Sequence, residues 1–349
     1  MKTDTSKLRV ALDALRPIFK TRNTLPILYC VKLFTESNRL HIAATNLDEY
    51  AVEKIEADGE FGPVCVSFNH LSLALSGSET EIVIDGNSAK IICGDNQTII
   101  STLDDDEFPK LPRFDDSQTH GVACTEAARA IGLVSWAASD DKGRYLINSV
   151  LIASESAKLT AVATNGRELA IAEVACIGSD FEVVIPSEFV SNASTALNRK
   201  GASLASNRNQ IRVTHESGVY FCKQIDGLYP NYKNAIPKDV KPLGTVLVAE
   251  FKSTIAGCCG FSSDSEAKGL FSFSKKEVMV ELIGDLNSQV ARHMLGKFDN
   301  FTVALSTKKM LKIFQNLKSE EAKLFYVDDK TPIRIEAGDL TVIECPMRK

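Results

Sequence analysis

Leu159 to Cys176 reads LTAVATNGRELAIAEVAC, two alternating apolar runs that meet at Asn165-Gly166. Asn-Gly between alternating runs is the strongest short-range signal for a β-hairpin, because both residues tolerate the positive φ of a tight turn. The same text stands earlier in the chain. Leu40 to Ala57 reads LHIAATNLDEYAVEKIEA, and Ala44-Thr45-Asn46 falls on Ala163-Thr164-Asn165 at an offset of 119 residues. Working outward, Ser67 falls on Ser187 at an offset of 120 and Phe108-Pro109 on Tyr229-Pro230 at 121. A third, fainter copy places Ser306 of TVALSTKKMLKIFQNLK 119 residues after Ser187, with Met279 to Met294 in the place of the hairpin. Three repeats of about 115–120 residues therefore fill the chain. They are expected as domains 1–120, 121–241 and 242–349.

The 349 residues are 44% hydrophobic and 24% charged, the balance of a soluble globular chain, and each repeat is long enough to bury a core of its own. No apolar run reaches the length of a membrane span, and the opening MKTDTSKLRV lacks the apolar centre of a signal peptide. A cytoplasmic chain without membrane contact is expected. Nine cysteines without a CxxC spacing read as reduced, buried thiols. The net charge of −5 excludes a protein that holds nucleic acid by gross positive charge, so any such contact must be local.

Ser6 to Lys20 puts Leu8, Leu12, Leu15 and Phe19 at helical spacing, and Pro17 predicts a kink or an early end. Strands follow around Tyr29–Phe34, Leu40–Ala44 and Tyr50–Ile55, then a helix over Ser67–Leu75. The second copy repeats this with a helix lined by Ala127, Ile131, Val134 and Ala138 and another over Ser187–Leu197. In the third, Phe251, Ile255 and Cys258 mark one helix, and Met310 or Leu311, Phe314 and Leu317 another. Two helices and seven or eight strands per copy predict an α+β fold on antiparallel sheets.

Taken together, several pieces resemble a known family, the bacterial DNA polymerase III beta subunit or replicative sliding clamp. They are RNTLPIL (Arg22–Leu28), ATNLDE (Ala44–Glu49), FPKLP from Phe108, RYLINSVL (Arg144–Leu151), AVATNGRELA (Ala161–Ala170), VIPSEF, DGLYPNY with Ile236-Pro237, and the terminal PMR. These span nearly the whole chain. The resemblance implies three clamp domains with helices inside an arc and sheets outside. Two chains would then meet, domain 1 against domain 3, as a homodimeric ring around duplex DNA. Open sheet edges at the ends of such an arc are association sites. Phe108, Leu111 and Phe261 are candidate apolar contacts at that joint, although all three would serve equally well as core residues.

The resemblance also implies two kinds of site. Basic helix faces would line the opening: Lys7 and Lys20, Arg199 and Lys200, and Lys308, Lys309 and Lys312. Two loops would join them, through Arg22 and through Lys142, Arg144 and Tyr145, with Asp140 and Asp141 repelling phosphate beside the latter. Phosphate contacts of this kind carry no sequence information and permit sliding. A peptide pocket is implied between the hairpin and the tail. Its hairpin side would be Ile147, Thr164, Gly166, Arg167 and Leu169, with Pro237 beside them. Its tail side would be Ile343, Cys345, Pro346, Met347 and Arg348. Each of these also has a plain structural reading, Gly166 as a turn residue and Leu169 and Ile343 as strand core. The pocket departs from the family where Glu168 replaces a commonly basic residue, Arg167 a frequent His, and Glu344, Cys345 and Lys349 a more apolar tail.

No catalytic motif is present: there is no phosphate-cradling GKS/T loop, no HExxH, and the five histidines stand at no ligand spacing. No enzyme activity, cofactor or metal is expected, and Asp104 to Glu107 reads as a solvated acidic run. The implied partners are duplex DNA without sequence preference, a replicative polymerase subunit, a clamp loader and other proteins carrying a clamp-binding motif. Two alternatives stay open: a clamp-like peptide-binding scaffold that does not encircle DNA, and a cysteine-dependent enzyme.

Overall fold

The structure, a computed structural model, describes residues 1–20, 24–111, 113–116, 120–199, 201–207, 209–264, 266–283 and 289–348. It is an α+β chain of antiparallel sheets that folds as two compact units. The first comprises 1–128, 155–157 and 176–225; the second comprises 129–154, 158–175 and 226–349.

In the first unit one sheet runs through Lys2–Asp4, Glu79–Asp85, Ser88–Cys93, Asn96–Leu103, Val64–Ser67, Cys30–Glu36, Arg39–Thr45 and Glu49–Glu56. It continues without a break into Gly218–Lys223, Gln210–His215, Ser203–Ser206 and His120–Ala123. The joint between first-repeat and second-repeat strands is the pair 49–56 with 218–223, in the register Ala51↔Tyr220. A helix over Thr5–Leu15 covers the sheet. Asp4 caps it, its carboxylate accepting the amides of Ser6 and Lys7 at 2.7 and 3.1 Å, and Leu8, Ala11, Leu12 and Leu15 are buried. Pro17 has the predicted effect: the α-helix stops at Leu15 and a 3₁₀ turn carries Arg16–Lys20. That turn stacks Phe19 on Phe68 of the second helix, with 4.3 Å between ring centres.

The second unit carries a sheet in the order Ser149–Glu155, Lys158–Thr164, Glu168–Ala175, Leu340–Glu344, Ile333–Ala337, Glu321–Tyr326, Lys241–Leu247. Here the 168–175 strand of the second repeat pairs with the 340–344 strand of the third, the counterpart of the joint in the first unit. A separate sheet holds Gln289–Leu295, Glu277–Ile283, Lys268–Phe273 and Phe301–Ser306 in that order. Helices Val248–Cys259 and Thr307–Asn316 meet through an edge-to-face contact of Phe251 and Phe314 at 4.8 Å. Phe251 is fully buried and also touches Phe271 and Phe273, a core that contributes about 1.5–3 kcal/mol per buried ring.

The Leu159–Cys176 hairpin is formed, in the register Thr164↔Leu169, but its loop is longer than the Asn-Gly pair predicts. The side chain of Asn165 accepts the amides of Arg167 and Glu168, both at 2.9 Å, and Thr164 Oγ1 accepts that of Gly166 at 3.0 Å. Those bonds draw four residues into the loop. The first copy has the same bonds: Asn46 accepts the amides of Asp48 and Glu49, and Thr45 that of Leu47. Gly166 at φ +90° and Leu47 at φ +80° occupy the same left-handed position. The single helix predicted over Ser187–Leu197 is instead two short ones, Ser187–Asn192 and Ser194–Leu197.

Candidate functional site

In the second unit the strand register puts Leu169 opposite Ile343 and Glu168 opposite Glu344. Beyond Glu344 the amide of Cys345 donates to the Arg167 carbonyl of the hairpin loop at 3.2 Å, and the chain then turns to strand 301–306, where that of Met347 donates to the Ala304 carbonyl at 2.8 Å. The Arg144 guanidinium lies over the hairpin loop and donates to the Asn165 carbonyl at 3.3 Å, while the amide of Ile147 donates to the Arg144 carbonyl at 2.9 Å. The structure thus gathers most of the expected pocket around one loop. Ile147, Leu169 and Ile343 form its buried floor; Thr164, Pro346 and Met347 are half-buried; Gly166, Arg167, Cys345 and Arg348 are exposed. Pro237 is half-buried after the one-turn helix Tyr232–Ala235, in a loop tied to the hairpin by the Tyr229 hydroxyl donating to Val162 O at 3.5 Å.

Acids dominate beneath this surface. Glu168 and Glu344 are 1% and 2% exposed. Burial pushes the Glu344 carboxyl up to about 9, with the facing Glu168 charge acting in the same direction, and burial also raises Glu168. Arg167 and Lys309 both pair with Glu266, at 2.9 and 2.8 Å. Lys312 stands 3.9 Å from Glu168 Oε2 and 5.6 Å from the Trp136 ring centre. Two of the lysines expected to face DNA therefore lean on carboxylates of their own unit, and Lys308 beside them is half-buried.

The first unit repeats the pattern. Lys7 pairs with Glu56 at 2.5 Å. Arg199 Nη1 lies 2.8 Å from Glu53 Oε2, within a buried cluster in which the Tyr220 hydroxyl donates to Glu53 Oε1 at 2.8 Å and His215 Nε2 stands at 3.4 Å. Arg199 is thus tied into the sheet joint rather than standing free on a helix face. The Lys142–Tyr145 segment is an exposed turn with Tyr145 56% exposed. Arg22, Lys200 and the Lys20 side chain lie outside the described residues.

Phe108, expected at an association joint, is 4% exposed and packs edge-on to Tyr50 at 6.2 Å, because the chain after the acidic turn folds back onto the sheet. Leu111 and Phe261 are 47% and 41% exposed. Sequence reading missed the better edges. Strand 96–103 pairs along 88–93, yet touches 64–67 only through Leu103 and Thr102. Its Asn96–Ser101 stretch keeps one side open, with Ile99 66% exposed. Strand 289–295 ends its sheet, with Leu295 81% exposed. The repeat offsets alone identify these strands as counterparts of 218–223 and 49–56, the pair that joins the first repeat to the second.

Burial holds several of the described thiols away from reactivity. Burial pushes the Cys30 thiol up to about 11 and Cys65 to about 12, and Cys258 is fully buried. Asp104, Asp105 and Asp106 bring carboxylates within 4.8 Å of one another, but Asp105 is engaged by Lys32 at 2.8 Å.

Residues 2–112 match the family model described as the DNA polymerase III beta subunit, N-terminal domain, and residues 122–231 match that of its central domain. The chain is similar to the beta sliding clamp of Buchnera aphidicola subsp. Rhopalosiphum padi, 25% identical across 90% of this chain and 89% of the relative. It is also similar to that of Rickettsia bellii, 21% identical across 95% and 94%. In fold it resembles a sliding clamp (DNA polymerase III subunit beta) from Pseudomonas aeruginosa bound to griselimycin, at TM-score 0.93 and 18% identity over 100% of this chain and 99% of that one. The DNA polymerase III beta subunit of Thermotoga maritima gives a TM-score of 0.92 at 18% identity, over 100% and 99%.

Proposed function

The chain belongs to the bacterial DNA polymerase III beta-subunit family, and from that premise we propose how it works as a non-enzymatic sliding clamp that confers processivity on a DNA polymerase. Three clamp domains, 1–120, 121–241 and 242–349, make half of a ring. A second copy closes it around duplex DNA, where a clamp loader places it, in the cytoplasm. The polymerase and other motif-bearing partners dock at the hairpin and tail.

One observation carries this reading. The joint of first and second repeats (49–56 with 218–223) and that of second and third (168–175 with 340–344) are the same strand pairing, used twice. The two remaining counterparts, 96–103 and 289–295, have open sides. A twofold-related copy uses each of these edges to cover the other's, repeating the joint a third time.

The charge pattern fits retention by topology. Lysines and arginines already paired with carboxylates make weak, screened phosphate contacts, which centre a ring without arresting it. At the pocket, two apolar anchors at about 1.5–3 kcal/mol each, with a few hydrogen bonds, reach at best around micromolar affinity after ordering costs, so partners exchange.

The test is retention on nicked circular DNA after loading, followed by linearisation. A ring survives gel filtration on the circle and is lost from free ends. Equal retention on both, or a monomer in solution, would select a scaffold that binds peptides without encircling DNA.

A further inference from the structure

We propose that Glu168 and Glu344 form a proton-operated latch: one proton held on the pair fastens the 340–344 strand and Cys345 to the hairpin, and its loss loosens them. The two side chains stand directly opposite one another in the strand register, and both are buried. The Oε2 atom of each has no hydrogen-bond partner. Two ionised carboxylates placed so would repel in a medium that screens little, and the desolvation cost falls hardest on Glu344, because Lys312 stands 3.9 Å from Glu168 and Asn165 hydrogen-bonds it. With one of them protonated, the pair is a neutral acid beside a single carboxylate.

The chain contains its own comparison. Glu49 occupies the position of Glu168 in the first copy of the hairpin, but there the opposite residue is Cys222, and Asn192 Nδ2 donates to the Glu49 carboxylate at 2.8 Å. That joint needs no proton. The second joint has replaced the neutral facing residue with Glu344.

The charged and titratable groups around the pair decide which carboxyl holds the proton. From helix 307–316 come Lys309 and Lys312, from the loop before strand 268–273 Glu266, from the hairpin loop Arg167, and from the tail Cys345. Lys309 and Arg167 are taken by Glu266, and Lys312 faces Glu168. Glu344 is left as the proton holder, consistent with its upward displacement to about 9. In the opened state its carboxyl returns to the ordinary value of 4.5. The closed state therefore holds a proton that the open state has lost at every pH between these two values. Closure is strongest below 4.5, weakens steadily as pH rises and changes no further above about 9. The segment beyond, Cys345 to Arg348, is one wall of the pocket proposed above; the latch acts on it through Cys345, while Met347 and Arg348 are also held by Ala304 and Lys268. The consequence for partners, which rests on that reading, is a pocket whose tail loosens as pH rises through neutrality.

Amide hydrogen exchange on the intact chain at pH 6, 7 and 8, corrected for intrinsic rates, tests the latch. Protection of the 341–345 amides is expected to fall about tenfold per pH unit, while strand 277–283 keeps its protection. Glu344→Gln should abolish the slope, and Glu168→Gln, which removes the facing charge, should reduce it. A flat wild-type profile, or the same slope in Glu344→Gln, overturns the proposal. If Glu344→Gln does not fold, carbon NMR of the wild-type glutamate carboxyls decides: one titrating well above 4.5 supports the latch, and none doing so ends it. Neither measurement reads peptide binding, so a chain that bound no peptide would leave the latch standing, and a failed latch would leave the pocket standing.

Discussion

Arg199 Nη1 lies 2.8 Å from Glu53 Oε2, and the carboxylate it neutralises also accepts the Tyr220 hydroxyl in the joint of strands 49–56 and 218–223. A cation expected to face DNA is therefore a structural counter-ion. Glu53 is 1% exposed, so removing its partner leaves a buried charge uncompensated.

Arg199→Ala is expected to destabilise the first unit by about 2–4 kcal/mol, less than for a sealed pair because the arginine side chain is 23% exposed. Thermal melting should show a lowered Tm that the double variant Arg199→Ala/Glu53→Gln partly restores. An unchanged Tm for the single variant would mean that Glu53 finds its counter-charge elsewhere.

Ile99 stands exposed on the open side of strand 96–103. Under the proposed ring closure, Ile99→Asp places a charge in an apolar sheet contact and should weaken dimerisation at least about tenfold, the equivalent of some 1.4 kcal/mol, without changing monomer melting. Sedimentation equilibrium reads the result, and a dimer of unaltered affinity would exclude this edge.

Gly166 sits at φ +90°, and a Cβ there would come 3.0 Å from Arg144 Nη2. The guanidinium is a flexible end and can give way, so the backbone sets the cost, about 1–2 kcal/mol for a left-handed alanine. Gly166→Ala should lower the Tm modestly, and Leu47→Gly at the matching position should not. Equal losses from both would show that the two loops are not equivalent.

Cys345 is the exposed thiol among those described; burial and the nearby Glu344 raise it too, but Cys30 and Cys65 are buried and displaced upward to about 11 and 12. At pH 8 a thiol reagent should modify Cys345 before those two, which stay intact until the chain unfolds, as peptide mapping would reveal. Rapid loss of Cys30 or Cys65 in the native chain would contradict the burial described.

Periodicity and repeat spacing by themselves determined the α+β class, the presence of helices within 6–20, over 67–75 and around Phe314, the break at Pro17 and the hairpin after Leu159, because these depend on neighbours within a few residues. The offset of about 120 residues also determined, before any coordinates, that the hairpin recurs. Only the tertiary structure decided what each charge faces. Lys7, Arg199 and Lys309 look alike as basic residues near helices, yet each meets a carboxylate at least 43 residues away in the chain. Pairing across joints likewise brought Glu168 against Glu344 and carried Phe108 into the core, since strand register is fixed by long-range packing that no local pattern encodes.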